Sequence, residues 1–498
     1  MLSDNDLFTV IRGQDRVEYR HKVNRCLDAL SRMLTEQRFS FARNHIGLEL
    51  ELNLVDEQLQ PSMSNTMVLD AIDDASFTTE LSRHNLELNL APRPLAGDSA
   101  LRMDNELTTY LDTAGDSARQ ERAAIAMIGI LPTITSEHFD LKWITDNPRY
   151  AVLNDEIIAA RGERTMLSLN GAAMPGCGTE RLHDHTDSIL PEAACTSLQL
   201  HLQVPPDEFA EHWNAAQALA GVQVAVGANS PFLLGKALWH ETRIPLFLQA
   251  TDTRPVELKN QGVRPRVWFG ERWIDSIFDL FEENVRYFPS LLPEIDPQDP
   301  FETLAAGGIP DLYELRAHNG TVWRWNRPVY DVADGVPHLR VENRVLAAGP
   351  TVADMLANAA FFYGAQRALV EQQHPVWTRM PFRVAEDNLY AGARDGFEAE
   401  LYWPGSGTVT VDELVLRELL PLAHAGLRSA GVCEAAIEHY LGIIEQRCRN
   451  RRNGATWQRD TVCALQRRGI ERPAALDRML ARYMELSNTG APVHTWPV

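Results

Sequence analysis

No two of the six cysteines in this chain are spaced C-x-x-C. Cys26, Cys177, Cys195, Cys433, Cys448 and Cys463 are scattered over 498 residues, which argues against zinc fingers, thioredoxin-like chemistry and a disulfide framework. Uninterrupted apolar runs of about 20 residues, the length a bilayer requires, are missing too. The most apolar region, 215–239, is broken by Gln217, Gln223, Asn229, Pro231 and Lys236. Met1 to Arg20 is polar and charged, unlike a signal peptide. Positive charge is scarce: 47 Lys and Arg stand against 68 Asp and Glu, a net charge of −21. So acidic a chain repels nucleic acid and anionic lipid, and neither is an expected partner. The one basic stretch, Arg447 to Arg452, reads as a solvated helix end. There is no G-x-x-x-x-G-K-[ST] and no G-x-G-x-x-G after a strand, so any bound ATP would sit without a P-loop. A soluble, cytoplasmic protein with reduced cysteines is expected.

What is present is a sheet followed by helices. Val23, Leu27, Leu30 and Leu34 lie at helical spacing within 15–37. A long helix is predicted over 100–128, and another opens at Pro205-Pro206-Asp207 and runs to about Val226. Gly, Pro and Asp between 291 and 311 predict a long loop, and the glycines of 171–178 read as ordinary loop. Beyond Pro350 the pattern is almost wholly helical, with an irregular break at 403–407. The expected organisation is a sheet-containing catalytic part over 1–350 and a helical region over 351–498 packed on it.

Four segments alternate strictly, so that side chains two apart share a face. Ile46, Leu48, Leu50, Leu52 and Leu54 oppose Gly47, Glu49, Glu51 and Asn53. Leu86, Leu88 and Leu90 oppose Asn85, Glu87 and Asn89. Leu198, Leu200, Leu202 and Val204 oppose Gln199, His201 and Gln203. Leu339, Val341 and Val345 oppose Arg340, Glu342 and Arg344. A half-wet antiparallel sheet accounts for any one of these strands. Wet faces usually mix Lys, Thr, Ser and Glu, however, and these four carry carboxylates, one imidazole, amides and guanidiniums instead. Acidic residues are also disfavoured in strands unless something recruits them. The joint reading is a lined polar cavity.

Carboxylates with one His and no Cys favour a hard or borderline cation such as Mg²⁺ or Mn²⁺. Glu49 and Glu51 project about 7 Å apart at a rise of roughly 3.3 Å per residue, which suits two neighbouring ions. Arg344, two residues beyond Glu342, is placed to sit beside a cation held there. Metal flanked by a fixed Arg is what a transferring phosphoryl group needs. The inferred reaction type is metal-assisted phosphoryl transfer from a nucleotide.

The order of these elements resembles glutamate–cysteine ligase family 2, a group of carboxylate–amine ligases in the glutamine-synthetase-like superfamily. Gly47-Leu48-Glu49-Leu50-Glu51 is similar to its opening strand, and Glu80 through Glu87 to its paired-glutamate hairpin. Gln199-Leu200-His201 resembles its metal-binding His strand. Ala228-Asn229-Ser230-Pro231-Phe232, followed by Arg243, resembles its A-N-S-P segment. Arg340-Val341-Glu342-Asn343-Arg344 resembles its closing strand. The resemblance implies an α+β fold: a curved antiparallel sheet forming a funnel flanked by helices, with a helical C-terminal third. ATP would enter one end, the carboxylate and amine substrates the other, with Mg²⁺ or Mn²⁺ between. It implies Glu49, Glu51, Glu80, Glu87, His201 and Glu342 as metal ligands, and Arg344 as the phosphate contact acting with Glu342 in catalysis. Arg340 and Arg344 would hold the nucleotide, and Arg243, Asn229, Gln199 and Arg327 the substrates. Glutamate is the implied donor and cysteine the implied acceptor.

Two other readings stay open: phosphotransfer from ATP on the same fold, and a non-catalytic nucleotide- or amino-acid-binding regulator. A homo-oligomer is compatible with all three. His183 and His185, in R-L-H-D-H-T-D, are expected in a polar loop between 178 and 191. Trp323 and Trp325 are expected in the core, and Cys195 as a small buried hydrophobe.

Overall fold

The computed structural model describes residues 13–39, 44–173 and 179–498. Cys177 and most of the glycine-rich piece therefore lie outside the described residues, as does the start of the polar N-terminal segment.

Seven strands form the main sheet: β1 (His45–Val55), β2 (Phe77–Thr79), β3 (Asn85–Pro94), β4 (Ala124–Ala126), β5 (Ser197–Gln203), β6 (Asn326–Ala333) and β7 (Val336–Ala347). Their order is β6-β7-β5-β1-β3-β2, with β4 pairing the far end of β1. Every pairing is antiparallel, and the sheet curls into a half-barrel. The alternating leucines face the core: Leu48, Leu50, Leu52, Leu86, Leu88, Leu198, Leu200, Leu339 and Val341 are all buried in one cluster.

That core continues without a break into the C-terminal helices. Helix α1 is Gly13–Thr35, α2 is Ser99–Gln120, α3 is Phe209–Gly227 and α4 is Val352–Val370. The last two are buried over most of their surface, which is why neither shows an amphipathic stripe. Gly364 of α4 crosses Gly426 of the helix Leu420–Ser429 so closely that a Cβ on Gly426 would lie 2.0 Å from the Gly364 carbonyl oxygen. Buried Arg447 pairs with buried Asp354 at 2.7 Å, tying a late helix to the first turn of α4.

Several sequence expectations change. The helix predicted over 100–128 stops at Gln120, and Ala124–Ala126 joins the sheet opposite Asn53, Leu54 and Val55. The open edge of β1 offers backbone partners that outweigh the helical propensity of an Ala-rich segment. The 291–311 loop contains the short helix Pro300–Ala305. The break at 403–407 is the turn of a hairpin, Glu400–Trp403 with Gly407–Thr410. His183 and His185 lie on a strand, Arg181–Thr186, paired with Thr165–Asn170, not in a loop. Both are exposed, their rings 5.5 Å apart. The basic stretch is not a solvated end: Arg447 is buried, and Arg451 and Arg452 donate to the carbonyls of Phe397 and Trp496. Trp323 and Trp325 are buried, both edge-on to Phe247.

Candidate functional site

Residues directly opposite in an antiparallel pair share a face. Glu51 lies opposite Glu87, and Glu49 opposite Asn89 on one side and Gln199 on the other. Gly47 lies opposite His201, His201 opposite Glu342, and Glu342 opposite Arg327. The four polar faces therefore converge on the side of the sheet away from its leucines. Asn53 and Asn85 close the floor: Asn53 receives the Asn85 amide and donates to the Ile128 carbonyl and the Thr196 hydroxyl.

At the centre, Glu51, Glu80 and Glu87 each bring a carboxylate oxygen within 4.8 Å of the others. Glu80 immediately follows β2, where the chain turns toward β3. Burial, then the charges of Glu87 and Glu51, push the Glu80 carboxyl well above the usual range. Burial and the charges of Glu49 and Glu51 push Glu87 up to about 7. Burial also raises Glu51, against the pull of Arg344 and Arg243. Three crowded oxygen donors that resist losing their protons fit a divalent cation, whose charge would remove the repulsion. Neighbouring donors fix the trio: Ser197 N and Gln199 Nε2 donate to Glu51 at 2.7 and 2.8 Å, and Asn89 Nδ2 to Glu87 at 2.8 Å.

Glu342 stands apart from this cluster. It is 1% exposed, and its two oxygens accept from different arginines, Oε2 from Arg327 at 2.8 Å and Oε1 from Arg344. Burial works against its ionisation, but the two guanidiniums win and hold its carboxyl far below the usual range. The same pairing raises Arg344 beyond its ordinary value. Glu342 thus lies between two guanidiniums, opposite His201 on the same face of the sheet. Gln199 bridges the two groups, giving its amide hydrogen to Glu51 and its oxygen to Arg344 at 2.6 Å.

At the open end His201 Nε2 is 3.0 Å from Glu49, and Arg340 Nε donates to His201 Nδ1 at 3.1 Å. Burial would raise Glu49, but the imidazole beside it holds the carboxyl below its usual value. Tyr363 of α4 donates from behind the sheet to the His201 carbonyl at 3.0 Å. A cleft of about 280 Å³ opens here over Gly47, Glu49, His201, His338 and Arg340. Beyond β6 a second cleft of about 390 Å³ carries Arg327, Asp331 and Arg340 on its wall.

At the closed end is a pocket of about 20 Å³, lined by Glu51, Glu192, Cys195, Arg243, Trp325 and Arg344 among others. Arg243 is 3% exposed and held by Glu241 at 3.3 Å. Cys195 is half-buried, and burial pushes its thiol well above the ordinary value. Asn229 is not in this pocket. It is fully buried, donates to the Ala348 carbonyl and the Tyr483 hydroxyl, and accepts from Gln458. With every polar atom of its amide engaged, it pins the C-terminal helices to the sheet. Sequence reasoning missed Glu192 and Glu241. Neither lies on an alternating strand, and their one signal was isolation: a single acid among apolar and small residues in P-E-A-A-C, and another beside Thr242 and Arg243.

A sequence profile of glutamate-cysteine ligase family 2 matches residues 45–476, most of the chain. The chain belongs to that family. Among curated proteins no sequence matches it. A bifunctional glutathione synthetase from Pasteurella multocida shares its fold at a TM-score of 0.51 and 11% identity, over 93% of this chain and 55% of that one. A glutamate–cysteine ligase from Francisella tularensis, solved in complex with AMP, aligns over 93% of this chain and 96% of its own, at 13% identity and a TM-score of 0.46. The ligase PafA in complex with the ubiquitin-like protein Pup aligns at 10% identity and a TM-score of 0.35, over 88% and 71%. The half-barrel is thus built here from strands whose polar faces share one side of the sheet.

Proposed function

We propose that this family member is an ATP- and divalent-metal-dependent carboxylate–amine ligase, with glutamate as donor and cysteine as acceptor. The observation that carries the reading is the Glu51–Glu80–Glu87 cluster, whose member Glu51 also lines a pocket with Arg344. A carboxylate is a poor acyl donor because its leaving group would be oxide. Transfer of the γ-phosphoryl group to a carboxylate oxygen supplies phosphate as the leaving group. The amine nitrogen then attacks the acyl carbon, the new C–N bond forms and the C–O bond to phosphate breaks. Two protons leave the nitrogen, one ending on phosphate and one in solvent.

Each part of the channel suits one share of this work. Glu51, Glu80 and Glu87 would hold Mg²⁺ or Mn²⁺, which supplies neutralisation of phosphate charge. Glu49 and His201 are placed for a second ion. The open clefts bearing Arg340 and Arg327 have the room and the charge for the nucleotide. Gln199 and Arg344, at the edge of the closed pocket, would take the donor carboxylate, and the pocket bearing Arg243 the acceptor. Arg344, fixed by Glu342 and Gln199, faces the charge that develops on the transferring group without having to reorganise. Glu342 is then a positioning residue for Arg344 and Arg327.

ADP release decides between this and phosphotransfer. With Mg²⁺ and ATP, a ligase forms product only with carboxylate and amine together, whereas a phosphotransferase needs a single acceptor. Release with one substrate alone, yielding a stable phosphorylated product, contradicts ligation.

A further inference from the structure

We infer that Glu192 is the residue that receives the ammonium group of the acceptor amine. The assignment rests on the ligase reading above and adds to it a recognition residue outside the implied ligand set.

Glu192 sits in the turn that precedes β5, where its own carbonyl accepts from Cys195 N at 2.8 Å. Its side chain lines the closed pocket together with Arg243, Arg344 and Glu51. Among the described residues its carboxylate makes no hydrogen bond and no ion pair, although it is half-buried. The other carboxylates on this face have partners: Glu51 has Ser197 and Gln199, Glu80 has Leu81 N, Glu87 has Asn89, Glu49 has His201, and Glu342 has two arginines. A partly desolvated carboxylate without a partner is costly unless a ligand supplies one.

A second observation in the same pocket points the same way. The Nε of Arg243, buried with its side chain lining the pocket, also has no hydrogen-bond partner. One pocket thus brings together an unpartnered carboxylate and a guanidinium with an unpartnered Nε, with Phe247 and Trp325 also in its wall. A zwitterionic amino acid satisfies both at once, its ammonium on Glu192 and its carboxylate on Arg243. Arg344 lines the same pocket.

The test uses the full chain with Mg²⁺, ATP and L-glutamate, and two acceptors that differ in charge at about neutral pH: L-cysteine, carrying an ammonium, and hydroxylamine, which is uncharged. Glu192→Gln is expected to raise the KM for L-cysteine about ten-fold or more, while the KM for ATP and the rate of hydroxamate formation stay within about two-fold. Glu192→Asp, which keeps the charge, is expected to recover much of the cysteine affinity. Equal loss with both acceptors, or no loss with either, overturns the assignment. Wild-type protein that releases no ADP with either acceptor contradicts ligation itself. Normal hydroxamate formation without a cysteine-specific loss removes Glu192 alone.

Discussion

Glu51 and Glu87 stand directly opposite each other on β1 and β3, two carboxylates on one face of neighbouring strands. Like charges in that position destabilise a sheet. The arrangement persists because the core behind it, Leu50, Leu52, Leu86 and Leu88, is fully buried and holds the register. Replacing Glu87 with Gln is therefore expected to leave the metal-free protein as stable or raise its Tm by about 1–3 °C. The same variant is expected to lose the stabilisation that Mg²⁺ or Mn²⁺ gives the wild type, and to lose turnover. Thermal unfolding with and without metal checks both effects. A clear loss of metal-free stability would make the cluster a structural element instead.

The pH dependence follows with a definite sign. Glu87 and Glu192 in the folded chain hold their protons up to about 7, above the ordinary carboxylate value of the unfolded chain. For Glu192, burial and the charge of Glu51 are the cause. The folded state then binds more protons than the unfolded one, so stability falls as pH rises toward and through about 7. Buried His84 and His240, which burial holds neutral down to about 3, act oppositely: stability is lost as pH falls below about 6.5. Between about pH 7 and 8 the histidine contribution fades, and the last part of the carboxylate slope remains. Metal-free Tm is expected to decline across that interval and to flatten when Mg²⁺ is added.

Arg344→Ala is expected to lower kcat by about 10²–10³ with a much smaller change in the KM for ATP, as for loss of a fixed electrostatic stabiliser. Glu342 keeps Arg327 as a partner in that variant, so unfolding should be little affected. Steady-state kinetics on the donor and acceptor pair that turns over reads the split between kcat and KM.

Asn229→Ala is expected to act on stability and not on substrate affinity. It removes donors to Ala348 and Tyr483 and an acceptor for Gln458, all buried, for a loss of about 2–3 kcal/mol. Denaturant unfolding beside substrate KM values separates the two effects. An increase in KM at unchanged stability would return Asn229 to the substrate site.

How far the site could be read from the chain depended on whether a residue belonged to a periodic element. Glu49, Glu51, Glu87, His201 and Glu342 announced themselves because each broke the expected chemistry of a wet strand face. Glu80 lies in a turn and was reachable only through the family resemblance. Glu192, also in a turn, gave no periodic signal at all. The overrun of the second long helix past Gln120 has a related cause: propensity is local, whereas Ala124–Ala126 becomes a strand because β1 has a free edge there.

Alternation with period two was enough to determine which side chains of each strand share a face, since that follows from backbone geometry within a few residues. It was also enough to place a hard-cation chemistry on those faces. Which strands become neighbours, and in what register, is settled by contacts between segments distant in the chain, such as β1 with β5 and β5 with β7. That long-range pairing set Glu51 against Glu87 and brought Glu80 to them, making three carboxylates one cluster. The β6–β7 hairpin in turn laid Arg327 on Glu342, beside Arg344 of the same strand. Local sequence sets the direction of a side chain, but the charge that meets it comes from another strand, and only tertiary packing chooses that strand.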